Sequence, residues 1–499
     1  MAKQQIFELE NGATVVYQKQ TSFNGSSFVI GFRSGSQLDG KFKGISHLLE
    51  HLLFRATSDN LTQNILNNIL SHSINQNAFT TKNSIAVTFS ATHDNVVPAL
   101  ENCMRMITSK KFTEDQIKKE VEIVKQEINM YKDQPDDIDY AFENLLCALK
   151  GEQQTSIFDI LGNPKSLKSI TPELLKKYVS RYFNLDNLVI SVTSNSPVDE
   201  IMELCQEHIF SKLKNAKSDS FIVPFSQPEE FNPVNGLFAI PNRNQQNVEI
   251  NILLRERNNY SDDIDKEYAV DIIESYVMNR FGSLLWDALR VKNNLVYSYS
   301  LEALDYGKVK YKNFNALTSG PKMRKTITEI CKVIRSVAEN GVPEKLFDTI
   351  KKALTDRQCA NLQKFKNCSA LSNYDNLISG IPYVDYKNVN KHIHSITYEE
   401  FNAIVQEVYR RAEVSLTAYG NFDKRKMFYL VEIEQMLGNT MHLNQKEMFN
   451  QPVYEFTEIP DSYRILQHQK LEDALNLQEA FSNSIPTPPT KTIDDSPVK

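Results

Sequence analysis

His47 and His51 stand four residues apart in a stretch, Lys43–Phe54, whose apolar residues Ile45, Leu48, Leu49, Leu52 and Leu53 recur at helical spacing. Four residues along a helix put both imidazoles on one face, close enough to bind a single metal ion. Glu50 lies between them. A carboxylate there can take a proton from water that a zinc ion has acidified toward a pKa of about 7, and that combination is hydrolytic. Ser46 is a candidate cap for the helix. Strands precede it: residues 6–10, an Asn11-Gly12 turn and residues 14–17 read as a hairpin, and Ser27–Arg33 as a further strand. The helix therefore belongs to a mixed chain.

Beyond it, residues 77–90 hold two β-prone runs, and residues 93–109 and 113–131 return to helical spacing, the second with a stripe of Ile117, Val121, Val124 and Ile128. A strand at residues 187–193 and a helix at 198–213 complete an α+β unit over residues 1–215. Residues 216–236 turn polar and gather Pro224, Pro228 and Pro233, as a connector does. A second unit, residues 237–440, runs through strands at 237–240, 248–254 and 296–303, helical spacing at 264–293, 321–340 and 343–375, and a strand at 414–419. Its order echoes the first, without a residue-level repeat. Residues 441–483 read as an extension. Residues 484–499, with Pro486, Pro488, Pro489 and Pro497, read as a disordered tail.

With 56 Lys and Arg against 62 Asp and Glu, the net charge of -6 argues against nucleic acid as a partner. No run approaches the roughly 18–20 apolar residues of a membrane span, and the first residues lack the apolar core of a secretory signal. The expectation is a cytoplasmic protein. The six scattered cysteines include no Cys-x-x-Cys pair and read as buried, reduced thiols. Neither a Gly-rich phosphate loop nor a Gly-x-Ser-x-Gly turn points to other chemistry.

The stretch Gly44-Ile-Ser-His-Leu-Leu-Glu-His-Leu-Leu-Phe54, after Phe32-Arg-Ser-Gly-Ser36, closely resembles the inverted zinc motif of the pitrilysin/insulysin peptidases, the inverzincins. Asn77-Ala78-Phe79-Thr80 resembles the family's exposed strand, which pairs with substrate backbone. Leu289-Arg290 through Tyr297 resembles the Arg and Tyr pair that the family's far domain presents to the active site, donors suited to an anionic intermediate. The resemblance implies two homologous domains, each a mostly antiparallel sheet packed by helices, forming one bowl-shaped half of a clamshell. It also implies a peptide substrate and a partner, either a second copy or a homologous chain, so that the metal of one chain faces Arg290 and Tyr297 of the other.

The family takes its third metal ligand from a Glu on a later helix reading roughly Glu-x-Glu-x-x-x-Val-x-x-Glu-Ile. Aligning Glu120, Val124, Glu127 and Ile128 with that pattern puts Lys118 at the ligand position. Glu114 and Glu122, one turn to either side, are the candidate replacements, while Glu120, two residues on, is expected to point away. Two readings follow. In the first the chain is a zinc endopeptidase acting on peptides or small unfolded proteins in an enclosed dimer chamber, with His47 and His51 as ligands, Glu50 as base, and Arg290 and Tyr297 steadying the substrate carbonyl. In the second it is an inactive homologue serving as partner subunit or peptide-binding scaffold for an active sister chain.

Overall fold

The computed structural model describes residues 4–21, 24–54, 71–108, 111–133, 160–217, 222–225, 237–241, 243, 245–256, 262–306, 309–364, 369–410, 412–428 and 430–438. The expectations for residues 441–483 and 484–499, and for most of the connector at 216–236, fall outside them.

The strands are β1 (Gln5–Glu8), β2 (Thr14–Lys19), β3 (Gly25–Arg33), β4 (Asn75–Thr80), β5 (Ser84–Thr92) and β6 (Leu188–Ser194), then β7 (Leu237–Pro241), β8 (Val248–Arg255), β9 (Val296–Tyr306), β10 (Val309–Thr318) and β11 (Glu413–Gly420). The first six form one sheet in the order β1-β2-β6-β3-β5-β4, and the last five form another in the order β7-β11-β8-β10-β9. In each sheet one pair is parallel, β2 with β6 and β7 with β11, and the rest are antiparallel. Setting β2, β6, β3, β5 and β4 beside β7, β11, β8, β10 and β9 gives the same order twice. The fold is α+β and internally duplicated, as the element order suggested, and β4 and β9 are corresponding edge strands.

The principal helices are α1 (Ile45–Leu53), α2 (Val96–Thr108), α3 (Glu114–Asp133), α4 (Pro172–Tyr182), α5 (Val198–His208), α6 (Ile264–Asn279), α7 (Met323–Asn340), α8 (Glu344–Lys364), α9 (Ser369–Ser379), α10 (Tyr386–Ser395), α11 (Tyr398–Arg410) and α12 (Leu430–Leu437). Strand alternation decides which face each covers. On β3, Phe28, Ile30 and Phe32 enter the core that α1, α2 and α3 share, with Phe28 stacked on Phe89 of β5 at 5.2 Å. Val29 points to the other face, where it meets Tyr374 and Ile378 of α9. A helix from the second half of the chain thus seals the back of the first sheet.

Sequence spacing missed β10, placed helix over the turn at residues 280–283, and left α4, α10 and α11 unassigned. Ser46 does not cap α1. The helix starts after Gly44, whose φ of 86° suits glycine, and Asp39 Oδ2 accepts from both Gly44 N (2.9 Å) and Ser46 Oγ (3.1 Å). A carboxylate reached from the preceding loop anchors the helix start.

Candidate metal centre

The apolar face of α1, with Leu48, Leu49, Leu52 and Leu53 all buried, clamps the helix onto the first sheet. Its other face meets α3, whose Ile117, Val121, Val124 and Ile128 are buried as the spacing predicts. Between the two helices lie His47, buried, and His51, half-buried, with ring centroids 4.6 Å apart.

On α3, Glu120 and Glu127 are seven residues apart. That is about 20° short of two full turns, so both carboxylates face α1. Glu127 Oε2 lies 3.8 Å from His47 Nε2 and 3.6 Å from His51 Nε2. Donor atoms of His47, His51 and Glu127 all fall within 4.8 Å of one another. Tetrahedral zinc, with ligands at about 2.0–2.2 Å, separates its donors by roughly 3.3–3.6 Å, so the two histidine–Glu127 separations of 3.8 and 3.6 Å are already close to those zinc needs. Glu120 Oε2 sits 3.3 Å from His51 Nδ1, a partner that fixes the ring and leaves Nε2 toward Glu127. His47 Nδ1 is buried with no hydrogen-bond partner among the described residues. Glu50 Oε2 lies 3.9 Å from His47 Nε2.

The environment separates the charges these groups prefer. Burial pushes the His47 imidazole down to about 4, with Glu127 opposing and His51 adding to the effect. Burial likewise pushes the Glu50 carboxyl up to about 7, His51 drawing it down and Glu127 driving it up. For His51 burial acts against the charged form, but hydrogen bonding to Glu127 and the charges of Glu50 and Glu127 prevail and raise it above the ordinary value. Burial also opposes ionisation of Glu127, yet the two histidines hold it below the usual carboxylate range. A neutral buried His47 imidazole beside an anionic Glu127 carboxylate is the state a metal requires of its ligands, whereas His51, held toward its charged form, must release a proton to bind one.

The candidates for the third position stand away from the histidines. Lys118 is 78% exposed and pairs with Glu114 at 3.9 Å, and Glu122 is exposed and paired with Lys125. Neither Glu114 nor Glu122 joins the histidines. Glu120, expected to point away, faces His51, because α1 crosses the side of α3 that carries Glu120, Val124 and Glu127 rather than the side that carries Lys118. The seven-residue interval between the two glutamates was the signal available in the sequence.

Asn77, Ala78, Phe79 and Thr80 lie in β4, which pairs only with β5 and leaves its other edge open among the described residues. Contacts with α1 put that edge beside the histidine helix. Arg290 and Tyr297 stand together on the second half: Arg290 Nη1 donates to Tyr297 O at 2.6 Å, its guanidinium lies 5.1 Å from the Trp286 ring, and Tyr297 is 81% exposed. Arg290 sits on a π-helical segment, Asp287–Val291, a distortion common at functional sites.

Fold and site together define a class, a duplicated α+β chain whose first half carries a two-histidine, one-glutamate donor set with a second carboxylate alongside. The family model described as insulinase, peptidase family M16, matches residues 14–157, and that of the peptidase M16 inactive domain matches residues 169–354, together about two thirds of the chain. The chain belongs to peptidase family M16, the pitrilysin-like family. It is 28% identical over 218 residues to an uncharacterized zinc protease of Rickettsia felis, covering 44% of this chain and 52% of that protein. It is 29% identical over 190 residues to the uncharacterized zinc protease YmxG of Bacillus subtilis, covering 38% and 46%. The chain thus spans about half the length of these two relatives. A crystal structure of a peptidase M16 inactive domain from Pseudomonas fluorescens superposes with a TM-score of 0.66 at 16% identity, over 84% of this chain and 98% of that one, a likeness of fold.

Among the described residues no helix is long and apolar enough to cross a membrane. Cys103, Cys205 and Cys331 are buried and free, and burial pushes the thiols of Cys205 and Cys331 up to about 12.

Proposed function

We propose that the chain is a zinc-dependent endopeptidase acting on peptides or small unfolded proteins, with His47, His51 and Glu127 holding the metal and Glu50 as base. The observation that carries this reading is the convergence of the three donors around a site that Glu50 also borders. Zinc bound there would supply a Lewis acid that acidifies water and polarises a peptide carbonyl. Glu50 accepts the proton of the attacking water and returns it to the departing amine, a role suited to a carboxyl whose proton affinity burial has raised. Glu120 keeps His51 in the tautomer that turns Nε2 inward.

The open edge of β4 lends backbone N–H and C=O groups to an extended peptide, which gives binding with loose sequence preference. Arg290 and Tyr297 steady the substrate carbonyl. In this reading they do so across an enclosed dimer chamber, each chain completing the site of its partner, and the enzyme works in the cytoplasm. The rival, an inactive partner subunit, drew its support from Lys118. With that ammonium exposed beside Glu114, the observations favour the peptidase.

The test is cleavage of an unstructured peptide by the zinc-loaded chain. Glu50→Gln is expected to lose at least about a hundredfold in rate while keeping its zinc. No cleavage by the loaded wild type, or full activity in Glu50→Gln, contradicts the reading.

A further inference from the structure

Arg290 and Tyr297 are both exposed, so packing does little to fix where their side chains sit. Groups that steady a developing charge must be aimed before it forms, and a misplacement of about 1 Å costs up to about a hundredfold in rate. The aim therefore has to come from the backbone that joins them. That backbone is unusual at one point. Among the described residues Asn294, with a φ of 47°, is the one non-glycine residue at positive φ. Asparagine tolerates this left-handed conformation, which a β-branched residue resists.

The turn at Asn294 is closed from within. Asn294 N donates to Arg290 O at 3.1 Å and Leu295 N to Leu289 O at 2.7 Å, which ends the π-helical segment that carries Arg290. The chain then enters β9, whose second residue is Tyr297. The same turn is held from outside. Lys322, just before α7, donates through Nζ to Asn294 O at 2.7 Å, and Thr318 Oγ1, at the end of β10, donates to Leu295 O at 2.7 Å. Thr318 is buried and accepts from Thr326 Oγ1 of α7 at 3.2 Å. Two consecutive carbonyls of the turn are thus tied to donors from β10 and the start of α7. A lysine fixed in this way gives up side-chain freedom, and its charge makes the bond roughly twice as strong as a neutral one.

We infer that Asn294 and Lys322 are positioning residues: Asn294 sets the left-handed turn and Lys322 clamps it, so that Arg290 and Tyr297 are held ready for the substrate carbonyl. The inference deepens the proposed peptidase reading and rests on it for the carbonyl, while the clamp itself rests on the turn's own bonds. Neither residue touches substrate in this account. Both act through the backbone that carries the pair.

The experiment measures cleavage of an unstructured peptide by the zinc-loaded full chain, and amide hydrogen exchange across residues 287–297, in wild type, Lys322→Met, Asn294→Val and Asn294→Gly. Lys322→Met, at an exposed position where folding is not at stake, is expected to speed exchange in that segment at least about tenfold while exchange in the first sheet and zinc content stay unchanged. It is expected to lower kcat about tenfold with KM nearly constant, since the pair acts on charge that develops in the transition state. Asn294→Val is expected to behave as Lys322→Met does. Asn294→Gly, free to take the same φ, is expected to keep the kcat and KM of the wild type. Unaltered exchange in Lys322→Met overturns the clamp, and faster exchange with unchanged kcat overturns the positioning role. Equal kcat in Asn294→Val and Asn294→Gly overturns the part given to the left-handed turn. A wild type that cleaves nothing, with the segment loosened in Lys322→Met and Asn294→Val, removes the peptidase reading and leaves the clamp standing.

Discussion

Two carboxylates seven residues apart on α3 stand against different atoms. Glu127 reaches both histidines, and Glu120 reaches the far nitrogen of one. The same logic of a carboxylate placed behind another group recurs at Asp39, which holds the start of the histidine helix through Gly44 and Ser46. Burial pushes Asp39 up to about 7 from 3.8, against the pull of the Ser46 and Gly44 bonds. Between those two values the folded chain keeps a proton that the unfolded chain releases, so rising pH favours unfolding there. The contribution is present in full below about pH 4 and gone by about pH 7. Melting temperatures of wild type and Asp39→Asn across pH 4 to 8 are therefore expected to diverge in favour of Asn as pH rises to about 7, then run parallel. A difference that stays constant with pH contradicts this assignment. His47, Glu50 and His51 were legible because a helix converts an interval of three or four into proximity. The third donor was not, since choosing among four glutamates on α3 requires knowing which side α1 crosses.

At the scale of elements, a helix of the second half, α9, is laid on the first sheet. Gly31 of β3 faces Tyr374 of α9, and a methyl group there would collide with the Tyr374 hydroxyl and come within 2.7 Å of Ala86 Cβ. Gly31→Ala is expected to destabilise the chain by about 1–3 kcal/mol in denaturant unfolding, because backbone and a buried ring must both yield. An unchanged midpoint would mean that α9 does not pack there. Most strands of the first sheet could be read from the sequence, since their apolar residues alternate or run together. β10 could not. Its Lys310, Lys312, Asn313 and Asn315 resemble a surface loop, yet Lys312 is buried beneath α6, 2.8 Å from Glu274 and 3.4 Å from Glu256, and in contact with Asp271. Asn313 and Asn315 donate to Asn251 on the opposite face. A strand whose polar groups are satisfied by distant partners carries no hydrophobic period.

Across the whole molecule the duplication shows in strand order and hardly at all in residues. A sheet order depends on where apolar faces are, while the residues filling them can change freely. The halves differ in what they carry: the first holds the cluster of histidines and carboxylates, the second an arginine and exposed aromatics. If each chain completes its partner's site, Glu50→Gln and Arg290→Ala are each inactive alone but regain about a quarter of wild-type activity when mixed and allowed to exchange, since half the dimers then hold one intact site. No recovery on mixing, with exchange verified, would contradict the shared chamber.

The most direct test of the central claim is the zinc content of the purified chain by elemental analysis, wild type beside His51→Ala, Glu127→Gln, Glu114→Gln and Glu122→Gln. About one zinc per chain is expected in the wild type and in the Glu114 and Glu122 variants, with loss in His51→Ala and Glu127→Gln. Zinc retained in Glu127→Gln, or absent from the wild type after metal is supplied, would contradict the account.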